Sequence, residues 1–433
     1  MNLIIVILTI VFACAVGLSF IRLFNFVEDN LLAIASSFGL GLGIIGFQLF
    51  WYSRVGITWK AELIILPWVI FAGLIILFNK KKNVKLIKVA KVKPAELLLL
   101  AGIFINGLYT VSQAVIRPPI AWDSWAIWLL KSKIFFIDGF VNSAALNYLS
   151  SNYPIVLSLF GTFIYIVLGQ TDDSSVLLVS SAFYIFLGIA FFSALKMRFS
   201  TFYSLLFTFF LLTIQNLIRH GGRLEAGQAD LPLAYFIFVS AVLFLNYLKK
   251  REFKTLVILN LFLGICSLIK FEGAVFSLII ELAVVYNILK HKEYKFLFPS
   301  LFWFLPLIDW ILFVKINNIA GVELSNKSFV FSLGRIIDVI KMTILEFMNI
   351  KTWGFLWILG ILSLPYILKR GSAESKIISV IIAVQFLVYL FLYLFVTIYT
   401  PESSLGRLLV HIAPLFLLVI AFSAHSAIKR YFH

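Results

Sequence analysis

The chain has 433 residues, of which 62% are hydrophobic and 13% charged, with a formal charge of +16. Soluble domains carry about 45–50% apolar and about 25% charged residues, so this composition excludes a soluble globular protein and leaves no stretch for a separate soluble domain. Nucleic acid is excluded as a partner as well, because the lysines fall in short clusters between apolar runs rather than on one basic surface.

In chain order, apolar runs occupy 3–21, 31–52, 61–79, 96–115, 174–195, 200–218, 231–248, 255–269, 273–289, 296–314, 352–368, 377–399 and 408–428. Each is near the length that crosses about 30 Å of hydrocarbon, which predicts about thirteen transmembrane helices. The N-terminus has no basic n-region, so the first run is expected to be kept as a helix rather than cleaved. Cys14 and Cys266 both lie inside apolar runs and make no disulfide framework.

A further run, 154–169, opens with Pro154 and is short for a span. If it does not cross, one side of the membrane receives Arg22, the lysine-rich loop 80–93, Lys196 and Arg198, and the clusters at 249–254, 290–295, 369–376 and 429–430. Together these hold 22 of the 36 basic residues. A crossing would divide them between the two faces, against the positive-inside tendency. The run is therefore expected as a juxtamembrane helix on the non-cytoplasmic face. The expected fold is an all-α integral protein of the plasma membrane, multi-pass, with about 13 transmembrane helices plus outer-face juxtamembrane helices. Two long outer segments result, 117–173 and 315–351, and the chemistry is expected there. Nothing in the sequence repeats in the manner of inverted-repeat transporters.

The first outer segment contains Trp122, Trp125 and Trp128 at three-residue spacing, followed by Lys131 and Lys133. Tryptophans at headgroup level and snorkelling lysines explain an interface helix. Asp123 gains nothing from such a place, and a partly desolvated carboxylate at a membrane surface suits a general base. Asp230 follows Arg219, His220, Arg223 and Glu225. It reads equally as a helix N-cap ahead of Pro232 and as a site residue, but capping leaves the neighbouring arginines unexplained. Lys270 and Glu272 read either as a local neutralising pair or as part of the site. Glu281 and Asp309 sit inside apolar runs, where a charge costs about 2.5–3.5 kcal/mol and a partner or cavity is expected. Arg407 starts the last span with His411 one turn deeper. The helix dipole disfavours a cation there, which makes an anionic ligand such as a lipid phosphate an attractive reason for it.

With these residues in place, the chain resembles the GT-C superfamily of polytopic glycosyltransferases, most closely the protein O-mannosyltransferase and aminoarabinose-transferase branch. The resemblance rests on WDSWAIWLLKSK at 122–133, NYP at 152–154, QADLPLA at 228–234, LIKFEG at 268–273 and SSLGRLLVHIAP at 403–414. It covers roughly 117–414 and departs from the family at Ile155 and Phe271. Three apolar runs also precede residue 96, where one is usual. The resemblance implies two regions, an N-terminal group of three spans at 1–95 and a GT-C-like catalytic module at 96–433.

It further implies transfer of a sugar from a polyprenyl-phosphate carrier to an acceptor glycan, lipid or protein. Asp123 and Asp230 match the acids of the first and second outer loops. Arg407 would hold the donor phosphate, with Lys131, Arg223 and Lys270 as further candidates. Trp122, Trp125, Tyr153, Glu225, Glu272 and His411 would line the substrate site. This reading fixes no cofactor, and leaves a divalent metal open though not expected. Two rivals share parts of the pattern, a transporter or flippase for lipid-linked saccharides and a lipid-diphosphate-dependent polymerase or ligase. The first would want its substrate groups near the bilayer midplane, whereas the candidates here gather at one face.

Overall fold

The structure is a computed structural model that describes residues 2–24, 29–78, 92–146, 152–319, 332–395 and 400–431. It is all-helical, with no strand among the described residues. The elements are α1 (Asn2–Leu23), α2 (Asn30–Val55), α3 (Ala61–Phe78), α4 (Pro94–Ile116), α5 (Leu129–Asp138), α6 (Val156–Leu168), α7 (Asp173–Lys196), α8 (Thr201–Leu212) and α9 (Gln215–Gly222). Then come α10 (Asp230–Lys250), α11 (Phe253–Ser267), α12 (Phe271–His291), α13 (Tyr294–Ile316), α14 (Leu333–Phe347), α15 (Leu356–Arg370), α16 (Ala373–Phe395) and α17 (Pro401–Tyr431).

Among the described residues, ten helices are long and apolar enough to cross a membrane, or eleven if α8 and α9 count as one bent span. The run expected at 200–218 breaks between α8 and α9 with a bend of 68°. The runs at 255–269 and 352–368 form the 15-residue helices α11 and α15. The lysine-rich loop expected at 80–93 lies almost wholly outside the described residues.

Side-chain bonds define the two ends of the bundle. Asn2 donates to Asp172 at 2.9 Å, just ahead of α7, while Asp29, between α1 and α2, accepts from Ser193 in the last turn of α7. Helices α1 and α7 thus run side by side in the same direction. The Asp29 end also carries Arg198–Glu374 at 2.8 Å, Lys249–Glu374 at 2.5 Å and Arg251–Glu293 at 3.8 Å. The basic clusters that close α7, α10, α12 and α15 all belong to this end.

Helices α5 and α6 lie across the opposite end. They pack in parallel, with Ser132 bonded to Ser158 O at 2.9 Å and the Phe136 ring 5.9 Å from Tyr165. The chain after α5 is tied to the end of α2 by the Val141 N–H to Ser53 Oγ at 2.8 Å. In the last turn of α6, Tyr165 donates to Asp173 at 2.6 Å, and Lys133 of α5 sits 2.6 Å from the same carboxylate. Helix α6 therefore starts and finishes at one end of the bundle. Gly139 and Gly169 close α5 and α6 with φ of 73° and 70°, a left-handed conformation that glycine adopts without steric cost.

The centre is α10, buried over 94% of its apolar window and packed between α11 and α17, with α7 behind it. Helix α2 joins this core, since Tyr235 of α10 donates to Ala35 O at 2.5 Å. Helices α1 and α2 cross where a Cβ on Gly41 would lie 1.7 Å from Ala13 O, so only glycine lets the two backbones meet. The isolated charges of the apolar runs have partners. Ser300 donates to Glu281 at 2.7 Å, and Asp309 lies 3.9 Å from Arg54.

Candidate functional site: a buried carboxylate hub

Asp230 heads α10 at the α5 end and is fully buried. It needs partners, because an uncompensated buried charge costs several kcal/mol. Two elements supply three of them. Lys270, in the turn between α11 and α12, reaches Oδ1 at 2.9 Å; Arg407 of α17 brings Nε to Oδ2 at 3.0 Å; His411, one turn further along α17, donates Nε2–H to Oδ1 at 3.0 Å. Glu272 shares the Lys270 ammonium at 3.1 Å. Burial alone would drive Lys270 to release its proton, but Asp230 and Glu272 hold its pKa above the usual lysine value.

Arg407 has a second partner. Its Nη2 meets the Asp123 carboxylate at 2.6 Å, so one guanidinium joins both acids. Asp123 stands at the entrance to a π-helical turn, Ser124–Trp128. That turn is docked by the Ser124 hydroxyl, which donates to Ala226 O at 2.6 Å, four residues before Asp230. The same loop is held from α7 by the Gly227 N–H on Ser180 Oγ at 2.9 Å. Two loops about a hundred residues apart in sequence are thereby pinned together.

The hub continues inward through residues that the sequence reading passed over. The Tyr389 hydroxyl of α16 is 3.0 Å from His411 Nδ1 and accepts from Gln385 Nε2 at 3.0 Å; Gln385 also donates to Glu272 O at 3.2 Å. With His411 donating from Nε2, its neutral ring accepts the tyrosine proton at Nδ1. This buried chain fixes the depth of α17, and with it Arg407. On the other flank, Asn216 donates to Gly406 O at 2.9 Å, and the Glu346 carboxylate beside Gly406 accepts from Trp353 at 2.7 Å.

Of the residues singled out in the sequence, Asp123, Asp230, Lys270, Glu272, Arg407 and His411 come together. Tyr153 and Lys131 form a neighbouring unit. Lys131 is buried under the Trp128 and Tyr153 rings and donates to Tyr153 O at 3.0 Å, and Tyr153 meets Phe271 at 5.5 Å. Arg223 lies over the Tyr109 ring at 6.0 Å, and Glu225 takes up Arg219 at 2.5 Å and Gln228 at 3.0 Å. Trp122 and Trp125 stand edge to face at 6.3 Å, about half exposed. His220 is buried with neither ring nitrogen bonded to a described residue. No group of three or more metal-ligating side chains occurs among the described residues.

No family model matches the chain, and no curated protein or solved structure matches it either.

Proposed function

We propose that the chain is a membrane glycosyltransferase that takes a sugar from a polyprenyl-phosphate carrier and places it on an acceptor hydroxyl at the non-cytoplasmic face. The observation that carries this reading is Arg407 held between two unequal acids. Asp230 is buried and keeps three partners, whereas the Asp123 side chain is 23% exposed and has Arg407 as its ion-pair partner. A lipid phosphate arriving at Arg407 displaces the weaker partner. One anion replaces another, so the arginine stays paired, and the freed Asp123 carboxylate becomes a base beside the donor.

The reaction then follows from the residues present. The acceptor hydroxyl gives its proton to Asp123, and its oxygen bonds to the anomeric carbon. The bond from that carbon to the phosphate oxygen breaks, and the electron pair leaves with the polyprenyl phosphate. Arg407 holds the departing charge in the two-pronged geometry that a guanidinium offers. The side assignment draws on the basic clusters gathered at the opposite end, which the positive-inside rule places in the cytoplasm. A groove of about 770 Å³, lined by Ile214, Trp353, Leu359, Leu417 and Ile420, runs along α17 from Leu417 onward, and Trp353, bonded to the Glu346 carboxylate beside Gly406, joins its wall to the hub's flank. It is proposed to take the carrier chain.

The test is Asp123→Asn. Removing a partly exposed competitor worth about 1 kcal/mol should tighten binding of a short-chain polyprenyl-phosphate sugar about fivefold while transfer is lost. Weaker donor binding, or turnover near the wild type, would overturn the assignment.

A further inference from the structure

A pocket of about 410 Å³ opens at the outer end, away from the hub, between the turn that joins α2 to α3 and the ends of α5 and α6. Its walls include Trp59, Lys60, Glu62, Phe136, Gly139 and Ile166, and its volume falls within the range of about 300–1,000 Å³ usual for ligand sites. One wall belongs to the N-terminal spans and the other to the segment that carries Asp123. The two are held in register by the Val141 N–H on Ser53 Oγ. From Asp123 to Phe136 the chain winds without a break through the π turn and α5, about 20 Å at about 1.5 Å per residue.

The groups around this space are a mixed set. Trp59 is buried, and its indole N–H donates to Leu49 O at 3.2 Å, which fixes the ring. Phe136 is held edge to face with Tyr165 at 5.9 Å. Lys60 and Glu62 are exposed, and neither has an ion-pair partner among the described residues. Glu62 suits the first turn of α3 through the helix dipole, but Lys60, directly ahead of α3, does not. A cation at a helix start on the outer face is also disfavoured by the positive-inside rule. Gly139 is left-handed with open space where a Cβ would stand, so no side chain closes that end.

One ammonium and one carboxylate leave the mouth without net charge, which selects against a phosphate or a polybasic partner. They set donors beside acceptors, and the two fixed rings add apolar surface. A peptide would need a sheet edge or a continuous apolar groove, and no strand occurs among the described residues. A sugar has hydroxyls that both donate and accept, and C–H faces that lie against aromatic rings. We propose that this pocket binds a neutral saccharide, and that it holds the acceptor chain well away from its reacting end. The acceptor role, which narrows the acceptor to a glycan, rests on the transferase reading above; the saccharide site does not.

The probe is a printed array of linear oligosaccharides of neutral and N-acetylated hexoses, with phosphorylated chains as controls. It is overlaid with the full chain in a detergent that has no sugar headgroup. At least one neutral chain should retain the protein. Glu62→Gln, at an exposed position, should weaken that retention about tenfold, the loss of one charge-assisted hydrogen bond. Ala61→Trp, which fills the pocket from its wall, should abolish it. With a polyprenyl-phosphate sugar supplied, Glu62→Gln should raise the KM for the retained chain and spare kcat; an unchanged KM would overturn the acceptor role. No neutral chain retained, retention of phosphorylated chains alone, or retention unchanged in either variant would overturn the saccharide site. The transferase reading fails on a different result: polyprenyl-phosphate sugar binding unchanged in Arg407→Ala, whatever the array shows.

Discussion

The two ends of the bundle solve one electrostatic problem in different ways. Each places a carboxylate between two cations: Asp230 between Lys270 and Arg407, and Glu374 between Arg198 and Lys249. At the Glu374 end the carboxylate keeps some contact with water and Lys249 is half exposed, although Arg198 is 14% exposed, and Lys250 stands beside Lys249. Exchange of the Lys249 pair with solvent there costs little. At the Asp230 end the carboxylate is sealed, and among its described partners the Asp123–Arg407 link is the most open to the surface. An ion pair that solvent can replace serves as a clasp between helices. A sealed hub with one accessible link presents a charged group to a ligand while holding its geometry from behind.

That contrast can be broken by substitution. Asp230→Asn should be the most damaging change, because it leaves the buried Lys270 and the partly buried Arg407 short of their common acid. Removing one partner of a buried pair costs about 3–5 kcal/mol, and the low end applies, since Lys270 keeps Glu272 and Arg407 keeps Asp123. The unfolding midpoint in detergent should fall sharply, and a shift no larger than that of a surface mutant would mean that the hub is not what holds α10, α11 and α17 together. Tyr389→Phe should come next. It strands His411 Nδ1 and one N–H of the Gln385 amide in a dry interior, which costs about 1–3 kcal/mol. Donor binding should weaken as Arg407 loses its fixed depth, and unchanged stability together with unchanged affinity would detach the tyrosine chain from the site. Glu374→Gln should cost about 1 kcal/mol or less and leave donor affinity alone; a loss equal to that of Asp230→Asn would erase the difference between the ends.

The helices were legible because an apolar run of membrane length admits few alternatives to a helix. The break between α8 and α9 was not, since neither Thr213 nor Ile214 is a helix breaker. It depends on how α9 docks against α4 and α7, which is a tertiary fact. In the site, Asp123, Asp230, Lys270, Glu272, Arg407 and His411 could be picked out because a charge or imidazole amid apolar sequence is costly and wants a reason. The local Lys270–Glu272 pair could be read directly, but the other pairings were hidden, as those partners lie about 40 to 280 residues apart. Tyr389 and Gln385 were missed although Gln385 is an uncharged polar outlier inside the run 377–399, and that was the available signal. Arg223, a further phosphate candidate in the sequence, has its guanidinium over Tyr109, a contact that the sequence does not signal.

The π-helical turn after Asp123 has a consequence for how this site tolerates change. Leu129 N–H bonds Ser124 O across five residues instead of four, so the turn holds one residue more than an α-helix would. That surplus residue sets a phase. Upstream of it Asp123 faces Arg407, and downstream Lys131 faces the Tyr153 carbonyl. Removing one residue from 124–128 would restore regular winding and rotate one half against the other by about 100°, turning either the acid or the buried lysine away from its partner. A single deletion that touches no ionisable residue would then undo a charged site, whereas the same deletion in the middle of a lipid-facing helix such as α3 would only slide apolar side chains along apolar solvent.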